Sequence, residues 1–314
     1  MVSRSHCPFC GGQIFKQLST IQVEAFHYDV VICKNCQGCF RLQKWDSDFL
    51  IHYYNNLSRL HRGKKDDQRE NLFEDRVKEH AYPRYYFLKN FFKLRSEQDL
   101  ICELGSYDGA NLLPWKNAGF DVLGFECDET VKEFSNRMGI AATSQKLIEY
   151  NFSKKKPSLF ILSHVLEHLE DVDTYLTYIL KNMGPQGWIF IEVPGVRLQG
   201  FSNLTNYFDV EHIFHFELKS LINLLKKNGF SVTYGDEYIR CIAHPTLECE
   251  KRVQRGLLGK ALSVLAIPNM PLENYLTVNG VMKLPILFLH KLQTLLVRYY
   301  YGWLVFCGKR SVKA

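Results

Sequence analysis

The first six residues, Met1-Val2-Ser3-Arg4-Ser5-His6, contain no apolar run, so no secretory leader is expected there. Acidic residues are almost missing from the C-terminal part: between Lys251 and Ala314 there are ten Lys or Arg and a single acid, Glu273. The net charge of +6 over 314 residues is therefore uneven, and the first 250 residues are slightly acidic. A nucleic-acid groove across that larger part is not expected, and the basic end is marked as a separate unit. The even spread of cysteines that staples a small secreted domain is also missing. Five of the ten crowd into the first 39 residues, and Cys102, Cys127, Cys241, Cys249 and Cys307 are scattered. A reducing, cytoplasmic compartment and a metal site fit that distribution better than disulfides do. At 46% hydrophobic and 23% charged residues, the rest is ordinary for a globular chain long enough for one large core or two domains.

What is present begins with two knuckles. Cys7-Pro8-Phe9-Cys10 and Cys33-Lys34-Asn35-Cys36 are C-x-x-C pairs with 22 residues between them. Each knuckle turns two thiolates towards one point, and Cys7, Cys10, Cys33 and Cys36 together suit a closed, tetrahedral structural zinc site. Cys39 adds a third C-x-x-C spacing and leaves the choice of four open. The run from Phe15 to Ile32 alternates and is β-branched, which predicts a hairpin between the knuckles. So short a segment builds little core of its own, and a metal supplies the missing stability. A filled four-thiolate site has no open position, so no chemistry is assigned to it.

The second feature is Ile101-Cys102-Glu103-Leu104-Gly105-Ser106-Tyr107-Asp108-Gly109, followed by Glu126 at the end of Val122-Leu123-Gly124-Phe125-Glu126. It has the order strand, glycine turn, helix, strand, acid. Gly105 and Gly109 let a ligand approach the backbone, and a carboxylate about 20 residues on is placed to hold a ribose. A dinucleotide turn would show G-x-G-x-x-G, and its third glycine is absent here. Glu103 on the first strand suits a ligand with a positive amine, and Asp108 would repel a pyrophosphate. S-adenosylmethionine (SAM) carries such an amine, so it is preferred to NAD.

Alternation of strands and helices continues beyond the turn. Asn111 to Ala118 predicts a helix, and Leu159 to Ser163 a buried strand. Leu176, Ile179, Leu180 and Met183 lie at helical spacing, and Gly187 to Val193 is the next strand. Leu218 to Leu225 is another helix, and Phe230 to Tyr234 with Tyr238 to Ile242 form a closing strand pair. Tyr82 to Leu94 is aromatic-rich at helical spacing, and Leu57 to Asn71 is polar enough for a linker or loop. The expectation is an α/β, doubly wound, mostly parallel seven-stranded sheet. The expected division is a zinc-binding module over 1–60, an α/β domain over 72–245, and a basic, apolar helical tail over 246–314.

These motifs resemble a known family. Residues from about 80 to 240 look like a class I SAM-dependent methyltransferase with a Rossmann-like fold. Glu103 to Gly109 resembles its first motif, Glu126 its ribose-binding acid, and His164-Val165-Leu166-Glu167-His168-Leu169 its fourth-strand loop. The knuckles and the Glu211-His212 pair are similar to the sugar C-methyltransferase group, whose turn also lacks the middle glycine. A Tyr of that group is replaced by Asp209, and the C-terminal part is shorter here. The resemblance implies SAM as methyl donor and a small-molecule acceptor, a sugar nucleotide or glycan precursor. Glu103, Gly105, Ser106, Tyr107, Asp108, Gly109, Glu126, Ser163 and His164 then face the donor, with Gln145 reaching its adenine. His212 is the candidate base, Glu211 its orienting partner, and His168 and Asp209 further candidates at the acceptor.

Leu284 to Phe306 is the most apolar stretch, interrupted by Lys291 and Arg298 and rich in Tyr and Trp. It suits either a helix lying in a membrane surface, on the cytoplasmic face, or one packed on the core. O- or N-methylation of another metabolite is the alternative enzyme reading. A zinc-ribbon binding protein with a vestigial SAM fold is the alternative of another class.

Overall fold

A computed structural model describes residues 2–23, 26–45, 69–92, 94–184, 186–196, 208, 210–236, 238–246 and 254–255. The proposed membrane helix over 284–306, Asp209 and most of the 246–314 tail lie outside the described residues. Two compact units are each assembled from separate stretches of chain. The first takes 1–63, 164–176 and 191–291, and the second 64–163, 177–190 and 292–314.

The first unit begins with β1 (Val2–Ser3), β2 (Phe15–Val23), β3 (Phe26–Cys33), β4 (Cys39–Arg41) and β5 (Gln43–Lys44). The expected hairpin is β2 on β3, antiparallel from Phe15 opposite Cys33 to Val23 opposite Phe26, with an irregularity between Gln17 and Ser19. The second unit opens on α1 (Arg69–Arg76), a π-helical turn (Val77–Ala81) and α2 (Tyr82–Leu88). Helix thus begins at Arg69, inside the stretch expected to be loop, and Phe73 and Val77 are the reason. They bury against Ala110 and Phe134, an apolar gain that outweighs the polar composition around them.

The strands of this unit are β6 (Leu100–Leu104), β7 (Asp121–Phe125), β8 (Ala142–Thr143) and β9 (Leu159–Ser163). Between them lie α3 (Leu113–Asn117), entered through a 3-10 turn, and α4 (Glu129–Arg137). β6 pairs in parallel with both β7 and β9, and β7 with β8. All five residues of β6 are buried, as a central parallel strand covered on both faces requires.

Next come α5 (Val172–Asn182) and β10 (Trp188–Glu192), and the division between the units falls inside both. The first unit resumes with β11 (Phe214–His215), α6 (Leu218–Lys227), β12 (Phe230–Gly235), β13 (Arg240–Pro245) and β14 (Gln254–Arg255). β12 and β13 are antiparallel. Among the described residues the order is β14-β12-β13-β10-β9-β6-β7-β8: the seven strands expected, with the two-residue β14 added as an edge parallel to β12.

β11 does not belong to that sheet. It pairs antiparallel with β4, Phe214 opposite Phe40 and His215 opposite Cys39, completing the order β11-β4-β3-β2. Phe9, from the first knuckle, stacks edge-on against Phe40, Phe214 and Phe216. The N-terminal residues are therefore sealed by chain nearly two hundred residues further on.

Candidate functional site

In the second unit, the turn after β6 is built as its glycines suggested. Gly105, Tyr107 and Gly109 all have positive φ, at 64°, 48° and 79°. At Gly109 a side chain would also meet Ser135 Oγ at 2.6 Å, so packing as well as backbone conformation demands glycine. The turn is fastened to Glu126: Tyr107 N–H donates to Oε2 and Asp128 N–H to Oε1, each at 2.9 Å. Each oxygen keeps lone-pair capacity for a further donor, such as a ribose hydroxyl.

Glu103 sits on β6, 1% exposed, and its Oε1 accepts a hydrogen bond from Asn111 Nδ2 at 2.7 Å. Arg84 donates in turn to Asn111 Oδ1. Burial dominates and pushes the Glu103 carboxyl up to about 8; the Asn111 bond and Arg84 only partly offset it, and Asp108 and Glu126 add to the rise. Glu103 is thus largely protonated at neutral pH, and a cationic ligand must draw the proton off. Below about 8 that ionisation costs affinity, about tenfold for each pH unit. SAM affinity is therefore expected to rise with pH and level off near 8. Calorimetry across that range in two buffers of different ionisation enthalpy checks this, and a flat profile would remove Glu103 from the amine site.

Asp108 is 3% exposed and forms an ion pair with Arg76, while its Oδ1 accepts Ala110 N–H at 3.2 Å. It therefore closes an Asx-type turn ahead of the 3-10 turn that Gly109 begins, and occupies a donor that an anion would need, in keeping with a ligand other than a pyrophosphate. Ser106 is 4% exposed and packs against Gly124, where any side chain would strike its Oγ at 2.3 Å. Tyr107 is 43% exposed, with the Arg76 guanidinium 5.1 Å from its ring centre. Gln145 is exposed and donates to the Glu149 carbonyl at 2.8 Å; Ser163 ends β9, half-buried.

The first unit holds the second cluster. Glu167 follows Ser163 by four residues and is 1% exposed. Three imidazoles surround one of its oxygens, Oε1: His164 Nδ1 at 3.7 Å, His168 Nε2 at 3.8 Å and His212 Nε2 at 4.0 Å. The His168 and His212 rings lie 4.8 Å apart, centre to centre. His168 Nδ1 donates to the Glu211 carbonyl at 3.0 Å, and Ile213 N–H donates to the Glu167 carbonyl at 2.8 Å. The two segments are thereby stitched together, with the backbone of Glu211 holding His168. His215 is 2% exposed and stacks on Phe208, a packed position.

A buried ionic link backs this cluster. Glu170 takes Arg4 and Arg41 on opposite oxygens, and Arg41, 1% exposed, also donates to the Val210 carbonyl at 3.0 Å. Burial lowers both guanidinium pKa values against the opposing pull of Glu170. Nothing in the sequence flags these arginines, because their partners are remote along the chain.

The knuckles meet as their spacing requires. Cys7 Sγ lies 3.6 Å from Cys36 Sγ and Cys10 Sγ 3.7 Å from Cys33 Sγ. A tetrahedron of thiolates about 2.3 Å from zinc has edges of about 3.8 Å, so this cage fits the ion. Gly12 N–H points at Cys10 Sγ and Gly38 N–H at Cys36 Sγ, the support that thiolates need. Cys39 lies outside this four-cysteine group, on β4, where burial pushes its thiol up.

A family model described as "Methyltransferase domain" matches residues 77–234. The C-methyltransferase NovU of Streptomyces niveus is 27% identical over 150 residues, covering 44% of this chain; the match spans 34% of that protein's length. Among solved structures, the magnesium protoporphyrin IX methyltransferase of Synechocystis PCC 6803 with bound SAH is similar at 15% identity and TM-score 0.45, over 64% of this chain and all of that one. A SAM-dependent methyltransferase from Methanosarcina mazei is similar at 15% identity and TM-score 0.42, over 51% of this chain and 97% of that one.

Proposed function

The chain belongs to the methyltransferase-domain family, and on that premise we propose that it is a SAM-dependent enzyme that methylates a small-molecule acceptor of the sugar-nucleotide or glycan-precursor class, at oxygen or carbon. The observation that carries this reading is Glu167 with its ring of imidazoles. Methyl transfer from a sulfonium needs an acceptor atom freed of its proton and held in line with the S–C bond. A buried carboxylate among histidines is suited to activate a hydroxyl or an acidic C–H in that way.

The donor is assigned to the turn after β6: Glu103 for the amine, the backbone from Gly105 to Gly109 for close approach, and Glu126 for the ribose hydroxyls. Glu126→Ala is expected to weaken SAM by about 1.5–3 kcal/mol, the loss of charge-assisted hydrogen bonds. Zinc is assigned to Cys7, Cys10, Cys33 and Cys36 as a structural ion. The sugar class rests on the resemblance of the two knuckles and the Glu211-His212 pair to the sugar C-methyltransferase group, and the partial likeness to the C-methyltransferase NovU supports carbon as an acceptor atom. Mass spectrometry of products from a panel of nucleotide sugars tests it. A gain of one methyl on a sugar supports the reading. Turnover confined to non-sugar hydroxyls or amines would replace it with the other small-molecule reading.

A further inference from the structure

We propose that Glu167, His168 and His212 form a binding site for one divalent transition-metal cation, through a carboxylate oxygen and two imidazole nitrogens. The inference rests on the reading of this cluster as the acceptor-activating site, and says how it acts.

Distances come first. One ligand atom from each of Glu167, His168 and His212 lies within 4.8 Å of the others, and Glu167 Oε1 is 3.8 Å from His168 Nε2 and 4.0 Å from His212 Nε2. Ligand atoms about 2.0–2.2 Å from a shared cation stand roughly 3–4 Å apart, so small side-chain rotations close the triad. Tautomer comes second. A carbonyl only accepts, so the bond to Glu211 places the His168 proton on Nδ1. When the ring is neutral its lone pair is then on Nε2, which lies 3.8 Å from Glu167 Oε1. This is how a ligating histidine is commonly oriented, its far nitrogen tied to a carbonyl.

Preorganisation is the third observation. The triad draws on two segments more than forty residues apart, joined by the bond from Ile213 N–H to the Glu167 carbonyl. Glu170, three residues beyond Glu167, is clamped by Arg4 and Arg41. The two ring side chains remain about a quarter exposed, 25% for His168 and 24% for His212, so the cluster is reachable from solvent. His164, on a backbone of φ 55°, is a further donor near the same oxygen.

Two imidazoles and a carboxylate with open positions suit Mn²⁺, Fe²⁺, Co²⁺ or Zn²⁺, and differ in softness from the four thiolates. A hydroxyl bound there becomes more acidic. Its proton passes to solvent and the acceptor O–C bond forms. The S–C bond of the sulfonium breaks, with its electron pair staying on sulfur.

The test is titration of the full chain, its thiolate site loaded with zinc, with Mn²⁺ followed by electron paramagnetic resonance and with Co²⁺ followed by absorption. One ion per chain is expected outside the thiolate site. Glu167→Gln and His212→Ala should each weaken it at least about tenfold, with the zinc content of the thiolate site and the thermal unfolding transition unchanged as the control for folding. Binding of neither ion by the wild type, or equal binding by the variants, would overturn the proposal. Failure of the wider reading looks different. Full turnover by a chelated enzyme that binds neither ion removes the metal and keeps the acceptor site. Metal binding that the two variants abolish, with no product from any acceptor, does the reverse.

Discussion

Cys36→Ser is expected to abolish turnover while leaving SAM affinity close to that of the wild type. The four cysteines form one cage, and on the assignment of a structural zinc to it, loss of a ligand would remove the ion together with the folding energy it supplies. The consequences run along particular contacts. Phe9 sits in the loop between Cys7 and Cys10, and its ring fills the space among Phe40, Phe214 and Phe216. A side chain at Gly38 would strike the Phe9 ring at 2.1 Å, so the second knuckle holds the first in place as well. Release of the knuckles loosens β4, and with it the β4–β11 pairing and the hold of Arg41 on Glu170 and Val210. The residues disturbed are those flanking Glu167, His168 and His212. Glu103, Gly105 and Glu126 belong to the second unit and keep their own supports in Asn111, Tyr107 and Asp128. Metal content by atomic spectrometry, SAM binding by calorimetry and turnover form the measurement. Loss of zinc with stability and turnover intact would show that the cage is dispensable.

His212→Ala is expected to lower turnover by about 10²–10⁴, the range for loss of a group that activates the acceptor, whether it takes the proton itself or holds a cation that acidifies it, with SAM affinity preserved. His212 Nε2 is 4.0 Å from Glu167 Oε1, and its ring lies beside that of His168, so the two histidines surround one carboxylate oxygen. His168→Ala should therefore cost a similar factor. Glu211→Gln should cost less, because the contact it makes to His168 comes from its backbone carbonyl, which the substitution keeps. Single-turnover rates check this, since they separate chemistry from product release. If His212→Ala retains its rate and Asp209→Ala loses it, acceptor activation belongs to Asp209.

Much of this was legible in the sequence, for local reasons. A C-x-x-C pair bends its own backbone, so two pairs at suitable spacing announce a cage before any fold is known. Glycine at 105 and 109 signalled positive φ, and both positions have it. Alternating strand and helix patterns gave the parallel strands from β6 to β9. What escaped was remote. β11 is two residues long, and nothing in Phe214-His215 tells of a partner at Cys39–Phe40. Burial of Arg41 depends on Glu170, a residue 129 positions away. Helix at Arg69 is stabilised by a core that includes Phe134 and cannot be read from its own polar sequence. Glu167 was visible as part of a motif, but its place at the centre of three histidines requires the fold.

The pairing of β4 with β11 also bears on descent. A cysteine-rich N-terminus invites the idea of an appendage acquired by fusion and exchangeable between proteins. Here its outer sheet is completed by Phe214–His215, its aromatic plug is shared with Phe216, and its arginines neutralise Glu170. Transplanting the first 45 residues without the segments around 170 and 208–216 would strand the buried guanidinium groups of Arg4 and Arg41 and bare Phe9 and Phe40. A recombination boundary drawn between the two halves of this interlock would break the strand pairing, the aromatic packing and the ion pairs at once.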